Sequence, residues 1–463
     1  MRNIDREMIK GDFMSLGKGT SNTQSSGGER FSSFGFIMAA IGSSVGLGNM
    51  WKFPYITGQY GGAAFFLIFI VCLLLVGMPV LLAELAIGRS GRGSAASSFT
   101  KVGGSPIWGR LGILQVVAPF IILSFYVIIT GWTLYYAYAA FTGQLFGQGD
   151  FTTQFNGFVT GYGALGFQLA ALVITAWVVV RGISGGIEKF NKILIPAMIV
   201  LLIILMIRAI TLPGGMEGVS FFLQPDFSKL TAQSALVALG HAFFSLSLGM
   251  GILITYGAYV DKRQSLGAAS LAVGAGDLLY ALVAGLIIFP TTFSFGIAPD
   301  SGPSLVFIAL PAAFSAMPFG AVFGGLFFVL LAVAALTSAV SILEVPVAYT
   351  MDRWGWSRNK SVIITCLLAF LLGIPAALSL GMVPDLTFGG KAFFDWLDFI
   401  TSNVLLPVCG FITTIFVGYF WKNAGEAAGL TAGWFRVWVF MLRYVAPIMV
   451  LLVLLHSTGI IKF

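Results

Sequence analysis

The sequence contains little charge. Only 9% of its 463 residues are Asp, Glu, Lys or Arg, whereas soluble globular domains carry roughly 25%. Hydrophobic residues account for 58% of the chain. This composition excludes a set of ordinary soluble domains and indicates one membrane domain with many spans.

Cysteine and histidine are also scarce. The three cysteines, Cys72, Cys366 and Cys409, all lie in apolar stretches, which argues against a disulfide framework. An enzyme would need a nucleophile–base pair or a metal cluster, and neither of the two histidines belongs to an HExxH or similar motif, so we expect no enzyme. The net charge of +7 comes from basic residues scattered between apolar stretches, which favours loop topology over nucleic-acid binding.

Residues 1–33 are polar and rich in Ser and Gly, with no apolar core near the first methionine. They predict a cytoplasmic N-terminal segment rather than a cleaved signal peptide. Eleven apolar runs follow, each long enough to cross a bilayer, and we number them as the first to eleventh spans. They cover residues 34–57, 62–88, 108–141, 164–181, 187–210, 232–259, 266–296, 320–351, 361–381, 393–421 and 431–457. The loop 297–319 is also apolar, but its four prolines predict an outer hairpin or a partial span.

Basic residues between the spans orient the chain. Lys and Arg cluster between the second and third spans, at the junction of the fourth and fifth, and after the sixth and eighth. The opposite loops contain few of them. The positive-inside rule therefore predicts a cytoplasmic N-terminus and an extracellular C-terminus in the cell membrane.

Two spans are interrupted at mid-depth by small and polar residues. The first contains GSSVGLGNMWKFPY at 42–55, and the sixth contains FFSLSLGMG at 243–251. Glycine and serine in these positions either allow close helix packing or mark unwound segments whose backbone groups bind ligands. Because the sixth span crosses in the opposite direction to the first, the pair favours a transporter binding site between inverted halves.

Four stretches resemble motifs of the neurotransmitter:sodium symporter family, which has the LeuT fold. They are GSSVGLGNMWKFPY (42–55), ELAIGRSG (84–91), FFSLSLGMGILITYGAY (243–259) and LTSAVSIL (336–343). The resemblance implies an all-α polytopic membrane protein with eleven transmembrane helices and a transporter domain over 34–457. It also implies a 5+5 inverted repeat (about 34–210 and 232–421), an extra helix at 431–457, and unwinding of the first and sixth helices at mid-membrane.

The same resemblance implies a sodium-coupled symporter that works by alternating access, with two sodium sites. The first site would use Ser44, Asn49, Ser245 and Asp277. The second would use the carbonyls of Gly42, Val45 and Ala334 and the hydroxyls of Thr337 and Ser338. Without the resemblance, hydrogen bonding of Thr337 and Ser338 to their own helix would be the simpler interpretation.

An α-amino acid is the implied substrate. The resemblance places it among Ser43, Ser44, Gly46, Leu47, Gly48, Ile122, Tyr126, Phe244, Ser245, Ser247, Met250, Ser338 and Ile342. This lining carries no charge, so a charged substrate side chain would be left unpaired at a cost of several kcal/mol. Met250 is flexible and lies between two glycines, which predicts room for aliphatic to aromatic side chains.

The resemblance also implies gates and structural residues. Lys52 and Asp398 would form an outer gate, and Tyr259 and Asp352 an inner gate with Arg30 and Phe31 as further candidates. Glu84 would hold the unwound segments through hydrogen bonds. GGIEKFNKILIP at 185–196 has a Gly-x9-Pro spacing, from Gly186 to Pro196, that resembles one found near the bacterial multi-hydrophobic amino-acid transporters.

Chloride dependence is not expected. In chloride-dependent relatives an anion lies near the first sodium, held by polar side chains, but two of the corresponding positions here are Phe69 and His241. Asp277 supplies a fixed negative charge nearby, which disfavours a mobile anion. The sequence assigns no role to Glu344, and packing or hydrogen bonding is the simpler role for His241.

Two alternatives stay open from the sequence. A sodium- or proton-coupled carrier of the same fold for another small amine or amino acid would share most of these motifs. A membrane sensor that does not transport would share them too.

Overall fold

The computed structural model describes residues 30–146, 149–298, 305–383 and 385–461. The predicted N-terminal segment lies outside these ranges except for residues 30–33. The described chain is almost entirely helical, because a backbone within lipid must satisfy its polar groups internally and a helix does so within one segment.

All eleven predicted spans are present, with ends that differ by a few residues. In the described part of the chain, nine helices are long and apolar enough to cross a bilayer. They are Ala63–Gly91, Pro106–Phe141, Tyr162–Val180, Ile183–Ile210, Leu266–Ser294, Gly320–Trp354, Arg358–Ser379, Phe393–Phe420 and Ala432–Ser457. The first and sixth spans are each divided into two shorter helices. These are Ser33–Ser44 with Gly48–Gln59, and Ala232–Ser245 with Ile252–Ala258.

Short elements connect the spans. The helices are Ala95–Gly103, Phe151–Val159, Gly215–Leu223, Leu305–Ala316 and Ala424–Ala428, with a 3-10 turn at Phe227–Lys229. Strands β1 (Thr387–Phe388) and β2 (Lys391–Ala392) form an antiparallel hairpin before the tenth span. In the proline-rich loop, Leu305–Ala316 is too short to cross a bilayer and buries its first residues against the protein. Residues 299–304 of that loop lie outside the described ranges.

The eighth span forms the centre of the molecule. In its most apolar window 83% of the residues are buried, against 28% in the fifth span, whose outer side is available to lipid. The third span packs along the eighth, and Ser33–Ser44 lies against the fifth, seventh and eighth spans. This arrangement brings the first break next to the centre of the eighth span.

The two breaks have distinct backbone conformations. In the first, the helix stops at Ser44, Val45 is extended (φ −83°, ψ 91°), and Gly48 begins a wide helical turn. In the second, Ser247, Gly249 and Gly251 have φ of 56°, 74° and 63°. The left-handed region suits glycine, but Ser247 adopts it despite having a Cβ. Strained backbone conformations of this kind concentrate at functional sites, so Ser247 is a candidate functional residue.

Candidate functional site

A narrow cavity lies between the two breaks, at the level where both helices lose their regular hydrogen bonds. Its lining comes from the first, third, sixth and eighth spans and consists of Ser43, Ser44, Gly46, Leu47, Gly48, Ile122, Tyr126, Phe244, Ser245, Ser247, Met250, Ser338 and Ile342. These are the residues that the resemblance assigns to the substrate, and the structure brings all of them together. None of these lining side chains is charged.

Hydrogen bonds hold the two breaks against each other. The left-handed Ser247 donates its hydroxyl to the Ser43 carbonyl at 2.7 Å, which explains its unusual backbone conformation. The fully buried Glu84 accepts a hydrogen bond from the Gly249 N–H at 2.8 Å. Gly46 leaves space for the opposite wall, since a Cβ there would lie 2.5 Å from Ser338 Oγ. Glu84 thus contacts the break in the sixth span, and its role in holding both unwound segments stays a prediction.

A first cluster of oxygen atoms joins the two breaks to the seventh span. Asn49 Nδ2 donates to Asp277 Oδ1 at 2.8 Å, and Ser245 Oγ lies 2.7 Å from Asn49 Oδ1 and 2.6 Å from Asp277 Oδ1. Asp277 is fully buried, and its second carboxylate oxygen accepts no hydrogen bond from the described residues. Ser44 donates to the Ala40 carbonyl of its own helix at 3.3 Å. Hard cations prefer carboxylate, amide and hydroxyl oxygens, so this cluster fits a sodium ion.

A second cluster lies between the first and eighth spans. Ser338 Oγ is 3.4 Å from the carbonyl oxygens of both Gly42 and Ser43, so its hydroxyl connects the two spans. Thr337 donates to the Ala334 carbonyl of its own helix at 3.0 Å. The back-bonding interpretation therefore describes Thr337, whereas Ser338 points to the first span. Of the groups predicted for the second sodium site, the Ser338 hydroxyl and the Gly42 carbonyl lie together, and the Thr337 hydroxyl lies against the Ala334 carbonyl.

The two predicted outer-gate residues do not form an ion pair within the described ranges. Lys52 Nζ lies 5.5 Å from the centre of the Phe244 ring, a cation–π contact. The Asp398 carboxylate accepts a hydrogen bond from Ser402 Oγ at 2.7 Å. Both charges lie close enough to Tyr55 to act on its hydroxyl, but they do not touch each other.

The predicted inner-gate residues separate into two groups. Phe31 packs against Tyr256 and Tyr259, and Arg30 pairs with Asp261 at 3.4 Å, both side chains being about half exposed. The Arg263 N–H, which donates to Asp261 at 2.9 Å, holds the pKa of that carboxyl below its usual range, and the charge of Arg30 adds to the effect. The Asp261 carboxyl therefore stays ionised at neutral pH.

Asp352 belongs to the second group and does not meet Arg30. Its carboxylate accepts hydrogen bonds from the Ser94 N–H at 3.0 Å, the Ser94 hydroxyl at 2.7 Å and the Ser97 hydroxyl. It thereby supports the start of helix Ala95–Gly103, where a negative charge is favourable. The expected grouping of Asp352 with Arg30 is not present in this conformation.

The structure gives Glu344, which the sequence left without a role, a partner, and it shows His241 in the packing role that the sequence favours. Glu344 accepts two hydrogen bonds from the Arg358 guanidinium, at 2.8 and 3.0 Å, across the start of the ninth span. His241 packs between Phe53 and Phe69, and the centre of its ring lies 5.5 Å from that of Phe53 and 5.2 Å from that of Phe69. A charged residue within a span is expected to have a partner, so the sequence predicts one for Glu344, but it does not identify which residue that is.

A further group of polar side chains lies at the base of the fifth span. Glu188 accepts hydrogen bonds from the Ser32 N–H at 3.0 Å, from the Ser32 hydroxyl at 2.6 Å and from Lys192 Nζ at 2.5 Å. One turn further along, the fully buried Asn191 donates its amide to the Ile187 carbonyl at 2.9 Å. The sequence GGIEKFNKILIP shows the spacing of these polar residues, but it does not show which side of the helix faces the first span.

Comparison with known proteins adds independent information. The model of the sodium:neurotransmitter symporter family matches residues 29–156 and 151–463. The uncharacterized sodium-dependent transporter YhdH of Bacillus subtilis (strain 168) is 40% identical, over 93% of this chain and 98% of that protein. A sodium-dependent transporter of Haemophilus influenzae is 34% identical, over 91% and 96%. The crystal structure of MhsT in complex with L-phenylalanine matches with a TM-score of 0.87 and 44% identity, over 93% of this chain and 99% of that one.

Proposed function

This chain belongs to the sodium:neurotransmitter symporter family, and on that premise we propose that it imports hydrophobic L-amino acids, from aliphatic to aromatic, together with sodium. The family consists of membrane transporters, so the chain is a sodium-dependent membrane transporter and not an enzyme. Its fold is the LeuT fold, as the likeness to MhsT shows. The substrate class, the two sodium sites, independence of chloride and a cytoplasmic N-terminus are the parts that we propose.

The uncharged cavity between the two breaks carries the proposal. A zwitterion needs hydrogen-bond donors for its carboxylate and acceptors for its ammonium. The backbone N–H and carbonyl groups of the two breaks supply these. The substrate carboxylate would meet the first sodium, the backbone of Gly46 to Gly48 and the Tyr126 hydroxyl. The ammonium would meet carbonyls near Ser43, Phe244 and Ser247. A carrier for a small amine would instead need a carboxylate at the position of Ser43.

The side-chain end of the cavity favours apolar substrates. Ile122, Met250 and Ile342 line it, and a charged side chain there would be left without a partner. Met250 can change its rotamer at little cost, which allows substrates of different size. L-phenylalanine bound to MhsT, which is 44% identical, supports an apolar amino acid as the substrate.

Sodium would couple transport by completing the site. The ion at Asn49, Ser245 and Asp277 would neutralise the buried carboxylate and face the substrate carboxylate. The ion at Gly42 and Ser338 would hold the first span against the eighth. Binding of both sodium ions would favour the arrangement in which the first span packs against the eighth. Loss of the second ion would free the first span to move, so that the site opens toward the cytoplasm.

Uptake into proteoliposomes tests the proposal. The purified protein should accumulate radiolabelled L-phenylalanine and L-leucine when sodium is higher outside, and not when choline replaces sodium. L-lysine and L-glutamate should compete at least tenfold less well. Absence of sodium-driven uptake of any apolar amino acid, in vesicles where the protein is folded and correctly inserted, would refute the proposed function.

A further inference from the structure

The side-chain oxygen of Asn191 is buried, and none of the described residues donates a hydrogen bond to it. The side chain is fully buried on the fifth span, and its Nδ2 donates to the Ile187 carbonyl, which fixes the orientation of the amide. Oδ1 then accepts no hydrogen bond from the described residues. A buried acceptor left in this state destabilises the protein, so it calls for an explanation, and a role that uses the oxygen supplies one.

The oxygen lies against Gly42, which is one residue of the second cluster. A Cβ at Gly42 would be 2.0 Å from Asn191 Oδ1, so only glycine allows this approach. The carbonyl of the same Gly42 lies 3.4 Å from Ser338 Oγ and is one of the proposed sodium ligands. An amide oxygen is itself a suitable ligand for a hard cation.

Further oxygens continue from Asn191 toward the end of the fifth span where basic residues cluster. Gly35 and Gly42 are two helical turns apart, so they lie on the same side of the first span. A Cβ at Gly35 would be 2.2 Å from the carboxyl carbon of Glu188, one turn before Asn191. The first and fifth spans therefore touch along a seam, defined by Gly35, Gly42, Glu188 and Asn191, with an acceptor side chain at each level. The partly exposed side chain of Lys192 reaches back to the Glu188 end of the seam, where its Nζ bonds the carboxylate.

We propose that Asn191 Oδ1 is a transient ligand for sodium that leaves the second site, and that the ion passes along this seam to Glu188. The inference rests on the proposed function and deepens it by adding a transient sodium-binding position on the release path. As the seam opens, the ion exchanges the Gly42 carbonyl for the Asn191 oxygen. It then reaches the Glu188 carboxylate, which exchanges its bonds to Ser32 and Lys192 for the cation. A station that binds sodium only during release changes the rate of release more than the equilibrium affinity.

The pair Asn191→Thr and Asn191→Val tests the role of the oxygen. Threonine and valine have nearly the same shape, and a threonine hydroxyl can donate to the Ile187 carbonyl while it keeps lone pairs for the ion. The purified transporter is loaded with ²²Na⁺, and dissociation is followed after dilution into sodium-free buffer. We expect the valine variant to release sodium at least fivefold more slowly than the threonine variant, while equilibrium sodium affinities agree within twofold.

Gln168→Leu is the matched control. Gln168 is also a fully buried amide, on the fourth span, and it packs against Gly373 rather than the seam. This variant should release sodium at the wild-type rate, and thermal unfolding checks that all three variants are folded. Equal release rates in the threonine and valine variants would overturn the Asn191 proposal, even where wild-type protein shows sodium-driven uptake. A wild type without such uptake would instead refute the proposed function.

Discussion

Thr337 and Ser338 are adjacent residues whose hydroxyls have different partners. Ser338 reaches across to the carbonyls of the first span, and Thr337 bonds within its own helix. A hydroxyl that donates to a carbonyl keeps its lone pairs, so both oxygens remain able to coordinate a cation. The local hydrogen bond of Thr337 is therefore compatible with the proposed second sodium site.

Removal of both hydroxyls should disable the second site. In Thr337→Val combined with Ser338→Ala we expect sodium affinity to fall at least tenfold, about 1.4 kcal/mol, and gradient-driven uptake to be lost. Sodium titration of amino-acid binding and vesicle uptake measure the two effects. Thr350→Val, which removes a similar back-bonded hydroxyl later in the same span, is the control and should transport normally. Undiminished uptake in the double variant would rule out the second-site assignment.

Asp277 places a fixed carboxylate among the polar groups of the first cluster. Phe69 and His241, which stand at two of the positions that the resemblance assigns to an anion site, pack against each other. A second anion at this place would be repelled by the carboxylate. We therefore expect uptake at constant sodium to change by less than twofold when gluconate replaces chloride, whereas choline in place of sodium should abolish it. Collapse of uptake in gluconate would show that the prediction is wrong.

The fifth span is the element whose local structure relates most closely to sodium release. It is helical from Ile183, but its first turn, Ile183–Glu188, is a wide turn of the π type, and Pro196 lies inside the following helix. Proline cannot donate a backbone hydrogen bond and crowds the carbonyl one turn earlier. The sequence predicts that this stretch unwinds in the inward-facing step, and an ordinary proline kink is the alternative.

Pro196→Ala separates unwinding from a kink. The alanine variant regains a hydrogen bond to the Lys192 carbonyl, so we expect slower sodium release and turnover reduced about threefold or more. Sodium affinity measured in the outward-facing state should change little. Pro375→Ala, which replaces a proline inside the ninth span, is the matched control. Wild-type turnover in Pro196→Ala would favour the kink.

At the scale of the whole molecule, the distribution of charge sets the orientation in the membrane. Lys262 lies in an exposed loop after the sixth span, and Ile460, 71% exposed, follows the eleventh. With eleven spans the positive-inside rule places these two positions on opposite sides. The native cysteines Cys72, Cys366 and Cys409 are all buried, so background labelling should be low.

Single added cysteines test this topology. We expect Ile460→Cys to react with a membrane-impermeant maleimide in intact cells. Lys262→Cys should react only after the cells are permeabilised, and the protein without either substitution should stay almost unlabelled. The reverse pattern would show that the predicted orientation is wrong.

Hydrophobicity and helix geometry made the architecture predictable from the sequence. A bilayer requires about 20 apolar residues per helix, so the positions of the eleven predicted spans follow from the apolar runs along the sequence. Glycine and serine at 42–48 and 245–251 mark the breaks for the same local reason, because they interrupt a helix within one segment. The motif resemblance added the fold, the transporter family and the residues that the structure gathers around one cavity.

Tertiary structure alone decided which polar side chains meet. Lys52 lies over Phe244 instead of pairing with Asp398, and Asp352 accepts from Ser94 instead of meeting Arg30. Asn191 reaches Gly42 because glycine lets the first and fifth spans approach closely. Each of these contacts joins residues that are distant in the sequence, and its geometry depends on the rotation and spacing of two packed helices. Hydrophobic patterns place a helix in the membrane but do not specify that rotation to the level of single atoms.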